Sequence, residues 1–200
     1  AGEFLDEIGK LTEEEVKEAE AVADDLIQGA KFNAMTRDYV VRSCKVYVTA
    51  KKMLSLYDCN AFTIPCFEIC ATHRLNNEKY TFCLTHSLLK EEGIPSACEA
   101  DYSALVAMII MMNTLDNAPH MGNLHPALPH EIPENLKDNK NLLKMFHAVP
   151  TRCMHGRACQ KADYALRSFT AGNWGATIRY DFDQDKDEKI TLIRCNPQGT

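Results

Sequence analysis

Gly93-Ile94-Pro95-Ser96-Ala97-Cys98-Glu99-Ala100-Asp101 runs directly into Tyr102-Ser103-Ala104-Leu105-Val106-Ala107-Met108-Ile109-Ile110-Met111-Met112, and the reading of this stretch decides the fold. Ile94 to Glu99 reads as a short buried strand. Asp101 is placed to cap a helix, because an Asx carboxylate accepts the free amides of a first turn. The helix that follows is apolar almost all round, which predicts deep burial. Upstream, Thr81 to Lys90 reads as a helix stopped near Gly93. Before it, Ala61-Phe62-Thr63-Ile64-Pro65-Cys66 is a nearly all-apolar run that suits a strand ended by Pro65. Strand, helix, strand, helix at this spacing predicts an α/β fold with an open parallel sheet flanked by helices.

Further out, Thr12 with Glu13, Glu14 and Glu15 has the signature of a helix start, and Val16, Ala19, Val22, Ala23 and Ile27 recur at helical spacing up to Gly29. A second helix is expected from Thr36 to Tyr57. After Leu115 the character changes. Residues 117–140 carry four prolines and three histidines. Strand-like runs follow at Leu142 to Ala148, Trp174 to Phe182 and Lys189 to Arg194, the last two flanking a turn at Asp183-Gln184-Asp185-Lys186-Asp187. The expected division is an α/β part over residues 1–116 and the beginning of a β-rich, barrel-like part over 117–200. The first helix has no strand before it and the last strands are too few to close a barrel, so the 200 residues read as a fragment.

Lys plus Arg number 22 against 28 Asp plus Glu, a formal charge of −6, which disfavours a nucleic-acid grip. The longest apolar run, Ala104 to Met112, is far short of the roughly 20 residues that cross a bilayer. No secretory leader is visible at Ala1. Nine cysteines, an odd number, read as reduced thiols of a cytoplasmic protein.

Several residues invite chemistry. Glu99 and Asp101 lie where a strand hands over to a helix, the edge of an open α/β sheet where ligands bind. A carboxylate there can hold a hard cation or move a proton. Equally, Asp101 can be only a cap and Glu99 a solvated rim charge. His147, closing an apolar strand before Pro150, is either a metal ligand or acid, or an ordinary strand-end histidine. Cys66, Cys70 and His73 with Cys153, His155 and Cys159 would together make a structural zinc site of loose spacing. Asp181, Asp183 and Asp185 do not make a calcium loop, because Lys186 and Leu192 stand where Gly and Glu are needed. Dinucleotide, P-loop and serine-hydrolase motifs are absent.

Asn60–Glu68, Tyr80–Leu84 and Gly93–Asp101 resemble the L-fucose/L-arabinose isomerase-like family, with Pro119–Asn123 and Phe146–Pro150 following in that family's order. The likeness spans roughly residues 38–195, and Cys98-Glu99-Ala100-Asp101 with its apolar helix is the most specific part. It implies a metal-dependent aldose–ketose isomerase that moves a proton between C1 and C2 through an enediol. The cofactor would be Mn²⁺ or another divalent metal, and the substrate a deoxy-aldose, pentose or related acidic sugar. The resemblance further implies a barrel-like C-terminal domain; open sheet edges make a homo-oligomer the expected assembly, and the charge balance and short apolar runs leave no nucleic-acid or membrane partner expected. Glu99 matches the family's catalytic or metal-binding carboxylate and His147 its later histidine, with Asp101 as a second carboxylate. Position 123 tends to be acidic in the family and is Asn123 here, a neutral oxygen that weakens a metal site. Cys66, Phe67, Glu68 and Asn123 are the expected substrate contacts. The alternatives are a non-catalytic sugar-binding or regulatory protein on the same scaffold, favoured by Asn123, and a structural zinc protein.

Overall fold

A computed structural model describes residues 2–67, 77, 79–139, 141–169, 175–185 and 188–196. The chain is mixed α/β. Helix α1 (Gly2–Ile8) is followed by α2 (Glu13–Gly29), opened by a reciprocal capping box: the Glu15 amide donates to Thr12 Oγ1 (3.2 Å) and the Thr12 amide to Glu15 Oε2 (2.7 Å). Strand β1 (Phe32–Asn33) leads to α3 (Arg37–Leu56), the long helix on which α1 and α2 pack. Its Val40, Cys44, Val46, Tyr47 and Ala50 are buried in the main core.

The strand–helix–strand unit follows: β2 (Phe62–Thr63), α4 (Cys83–Glu91) and β3 (Ser96–Ala97), with β2 and β3 paired in parallel. Both strands are far shorter than their apolar runs predicted. Pro65 and the helical backbone at Cys66 end the first, and a left-handed turn at Glu99 and Ala100 ends the second. Helix α4 begins two residues later than expected, because Thr81 Oγ1 takes the Cys83 amide (2.9 Å) and Phe82 stands at the cap. Gly93 (φ +86°) stops it, and a Cβ there would meet Arg157 Nη1 at 1.8 Å.

Helix α5 (Tyr102–Thr114) corrects the expectation of deep burial. Ala107, Met108 and Met112 face the core, but Tyr102 (66% exposed), Val106 (42%), Ile109 (37%) and Ile110 (49%) do not. The helix packs on two very short strands, which cover only one of its faces.

Strands β4 (Asn123–Pro126) and β5 (Leu143–Phe146) form an antiparallel ladder. Strands β6 (Tyr164–Ser168) and β7 (Ala176–Tyr180) pair antiparallel, and β1 joins β6 in parallel, so one sheet draws strands from both sides of residue 116. Among the described residues no barrel closes. Lys189 to Arg194 is not a strand. Ile190, Leu192 and Ile193 are exposed, and the segment before them forms a 3-10 turn (Phe182–Asp185) rather than a hairpin tip. No helix of the described residues is long and apolar enough to cross a membrane.

The end of α4 joins these parts. Lys90, fully buried, donates from Nζ to the Val149 (2.8 Å) and Pro119 (3.1 Å) carbonyls. Glu91 takes the Arg152 guanidinium at 2.6 Å and the Arg152 amide at 2.8 Å. Arg152 also reaches Tyr164 Oη (3.3 Å), which donates to the Leu26 carbonyl (2.8 Å). With side chains 5% and 7% exposed, Arg152 and Glu91 form a buried ion pair, whose worth lies in placing the chain more than in net stability.

Two expectations follow. Arg152→Met should destabilise the fold by roughly 3–5 kcal/mol in urea melts, because Glu91 stays buried without a partner; adding Glu91→Met should recover most of that loss. Met108→Asp should abolish the cooperative transition, whereas Ile109→Asp, on the open face of α5, should change stability by no more than about 1 kcal/mol.

Candidate functional site

A cavity of about 260 Å³ opens where the loops after β2, β3 and β5 meet the start of α4. Cys66 and Phe67 enter from the first loop, Cys98 and Glu99 from the second, and His147 and Ala148 from the third. Thr81, Phe82 and Cys83 contribute from the head of α4. Asn123, Phe146 and Phe169 complete the wall.

Short parallel strands explain why these loops converge. Once Phe62 pairs with Ser96 and Thr63 with Ala97, the residues that follow leave the ladder at the same edge. The Ala100 amide donates to the Ile64 carbonyl (3.1 Å) and so ties the two loops together. Glu99 (φ +64°) and Ala100 (φ +53°) both adopt the left-handed region, which costs a non-glycine residue roughly 1–2 kcal/mol. That turn directs the Glu99 side chain into the cavity instead of along the sheet. On the other side, β5 ends at Phe146, in register with Asn123, and His147 comes next.

Glu99 and His147, 48 positions apart in sequence, meet here: His147 Nε2 lies 3.1 Å from Glu99 Oε1. The Ala148 amide donates to His147 Nδ1 (3.0 Å), so the hydrogen-bond pattern assigns the proton of the neutral ring to Nε2, which donates to the carboxylate. Burial pushes the His147 pKa down from its ordinary value, against the opposing pull of Glu99. The imidazole is therefore neutral near pH 7.

Other expected residues fall as follows. Cys66, Phe67 and Asn123 line the cavity. Glu68 lies outside the described residues. Asp101 does not line the cavity. Its Oδ1 accepts from the Ala104 amide (2.9 Å) as the cap of α5, and its charge reaches His147 only at a distance. Of the two Cys/His groups, Cys70 and His73 lie outside the described residues. The second group does not converge: His155 Nε2 is turned to Asp185 Oδ1 (2.7 Å), and Cys159 Sγ donates to the His155 carbonyl (3.2 Å). Among the described residues no three or more His, Cys, Asp or Glu side chains gather as a metal site would require.

A divalent cation fits Glu99 and His147 in donor type and in spacing. Two neighbouring ligands at about 2.1 Å from one ion, at a right angle, lie about 3 Å apart. The Asn123 amide lines the same cavity as a third, neutral donor. A metal-bound imidazole donates through its other nitrogen, however, and His147 Nδ1 accepts from Ala148. Cation and ring proton thus compete for one place.

Sequence reading missed a layer of buried groups behind this site. Lys90 is held at a pKa of about 7 and His86 and His120 at about 3, in each case because burial disfavours the charged form. His86 Nδ1 is hydrogen-bonded to Ser96 Oγ (2.7 Å), on the strand that leads to Cys98 and Glu99. His86 and Lys90 stand four apart on α4, where Thr85, Ser87, Leu88 and Leu89 are buried as well, so the helix is enclosed on all sides and no amphipathic pattern marks the two.

Comparison with protein-family models and with curated proteins finds no match to the chain.

These depressed pKa values make stability depend on pH with a fixed sign. Above about pH 9 the Cys44 thiol and Tyr47 phenol, held protonated by burial, oppose any gain, but between about pH 7 and 9 the unfolded chain carries a proton on Lys90 that the folded chain lacks, so stability should rise with pH across that window. It should fall as pH drops from 6.5 toward 3, where unfolded His86 and His120 become charged. Urea melts across pH should show both slopes, and Lys90→Met should flatten only the upper one.

Proposed function

We propose that this cavity binds a small sugar and that Glu99 carries a proton between its C1 and C2, the aldose–ketose isomerisation implied by the resemblance to the L-fucose/L-arabinose isomerase-like family. The observation that supports this reading is the Glu99–His147 contact inside the cavity, between one carboxylate and one neutral imidazole. Isomerisation through an enediol needs a base beside a carbon-bound proton and a hydrogen-bond donor at the adjacent oxygens.

The roles follow from the atoms. Glu99 Oε1 is engaged by His147, which leaves the second carboxylate oxygen to take the proton from one carbon and return it to the next. His147 orients that carboxylate by donating its Nε2–H to Oε1, so the donors available to the sugar oxygens are the Asn123 amide and the Thr81 hydroxyl. Phe82, buried, supplies apolar wall, while Phe67 (61% exposed) and Phe146 (48%) stand at the open rim with apolar surface for the C–H side of a sugar ring. Thr81 and Asn123 supply polar contacts for hydroxyl groups. A divalent cation, Mn²⁺ in the family, would be held by Glu99, His147 and Asn123 only in place of the Nε2 proton, and would then supply Lewis-acid polarisation of the sugar oxygens.

Asn123 supports a second reading, a sugar-binding protein without turnover, because an amide holds Mn²⁺ less firmly than a carboxylate would. Incubating the complete protein in D₂O with aldopentoses and deoxyhexoses, with and without Mn²⁺, and following deuterium entry at C1 and C2 by NMR separates the two. The isomerase reading expects exchange that Glu99→Gln lowers by about 10²–10⁴-fold with unchanged folding. Saturable sugar binding without exchange would establish the second reading, and equal exchange in Glu99→Gln would remove Glu99 from the chemistry.

A further inference from the structure

The cavity holds thiols that the proposed proton transfer does not use. Cys66 Sγ and Cys98 Sγ lie 3.4 Å apart, nearer than two sulfurs in ordinary contact, and both line the cavity with Cys83. Every described cysteine is a free thiol. A disulfide places its sulfurs about 2.05 Å apart, so closing this pair requires a combined movement of roughly 1.4 Å. The backbone is already arranged for it. Cys66 and Cys98 sit on loops that leave adjacent parallel strands and are strapped by the Ala100-to-Ile64 hydrogen bond (3.1 Å). The cavity gives a small oxidant a route to sulfurs that are otherwise buried, Cys66 7% and Cys98 1% exposed.

We propose that Cys66 and Cys98 are a reversible thiol–disulfide switch built into the cavity wall, closed by a hydroperoxide and opened by a dithiol. In the first step the Cys66 thiolate attacks one peroxide oxygen. The O–O bond breaks, Cys66 becomes a sulfenic acid, and the departing hydroxide takes up a proton as water. In the second step Cys98 sulfur attacks the Cys66 sulfur. The S–S bond forms, the S–O bond breaks, and hydroxide leaves with the Cys98 proton as a second water. Two thiols are oxidised by two electrons and one peroxide is reduced to two waters. Because Cys98 immediately precedes Glu99, whose backbone is held in a left-handed turn, drawing Cys98 toward Cys66 shifts the turn that aims the Glu99 carboxylate. The switch stands on sulfur geometry alone, so it holds whether or not the cavity turns over a sugar.

The test is to treat the full chain with hydrogen peroxide at a few equivalents, block remaining thiols under denaturing conditions, and map non-reduced tryptic peptides by tandem mass spectrometry, whose fragments separate Cys66 from Cys59 and Cys70 on the shared peptide Met53–Arg74. The expected result is a Cys66-peptide joined to a Cys98-peptide, about 2 Da lighter than the sum of the two, and released by dithiothreitol. The exposed thiols Cys59 and Cys159 report that the oxidant acted. Cys66→Ser and Cys98→Ser should each lose the joined peptide, and if either fails to fold the wild-type map decides alone. The proposal is overturned if Cys98 is joined instead to Cys83 or Cys70, or if Cys66 and Cys98 are both recovered as blocked thiols while Cys59 and Cys159 are oxidised.

Discussion

Two adjacent side chains at the end of one helix hold the rest of this molecule in place. Lys90 and Glu91 project from the last turn of α4 into the interior and seize the segment that follows β5, Lys90 through the Val149 carbonyl and Glu91 through Arg152. The same helix then turns at Gly93 into β3, and the left-handed turn just after that strand holds Glu99. One rigid element therefore fixes both halves of the site: the strand that delivers the carboxylate and the loop that delivers the imidazole. Hydrophobic burial supplies most of the folding free energy, but it is non-directional and cannot set a 3.1 Å contact between residues 48 positions apart. Directional, buried polar contacts can, at the desolvation penalty that such groups carry.

That penalty is concentrated around the cavity. Lys90, His86 and His120 are all kept from their ordinary charge by burial, and Glu99 and Ala100 occupy a backbone region that non-glycine residues avoid. Strained turns and buried titratable groups cluster at sites where chemistry needs them more than stability does. On the proposed reading, the mostly apolar wall, the neutral imidazole and the carboxylate beside it would serve proton abstraction next to a carbonyl. The paired thiols in that wall would make the same components responsive to peroxide.

The sequence made the helices legible because their signals are local. Thr12 with Glu15, the acidic cap at Asp101 and the stop at Gly93 each stand in the structure where the residue types require. Strand lengths were less legible. Apolar runs such as 61–66 and 94–99 mark what is buried, while the ladder itself is set by where Pro65 and the Glu99–Ala100 turn break it. The apolar composition of α5 overstated its burial, since coverage depends on the partners a helix meets and β2 and β3 are too short to cover it. At the site, Glu99 and His147 were visible as residue types at strand ends. Lys90 and Arg152 were not, because an isolated Lys or Arg in sequence looks like surface charge until the fold shows it buried.

The Glu99–His147 contact carries the functional reading, and the imidazole itself reports on it. Nitrogen-15 NMR of the histidine side chains across pH 5–9, with His147 assigned by its loss in His147→Gln, gives the ring tautomer and its pKa together. The expected result is an Nε2–H tautomer, neutral near pH 7, with a pKa that falls further in Glu99→Gln as the carboxylate that favours the charged ring is removed. A ring protonated at Nδ1, or a titration indifferent to Glu99, would contradict it.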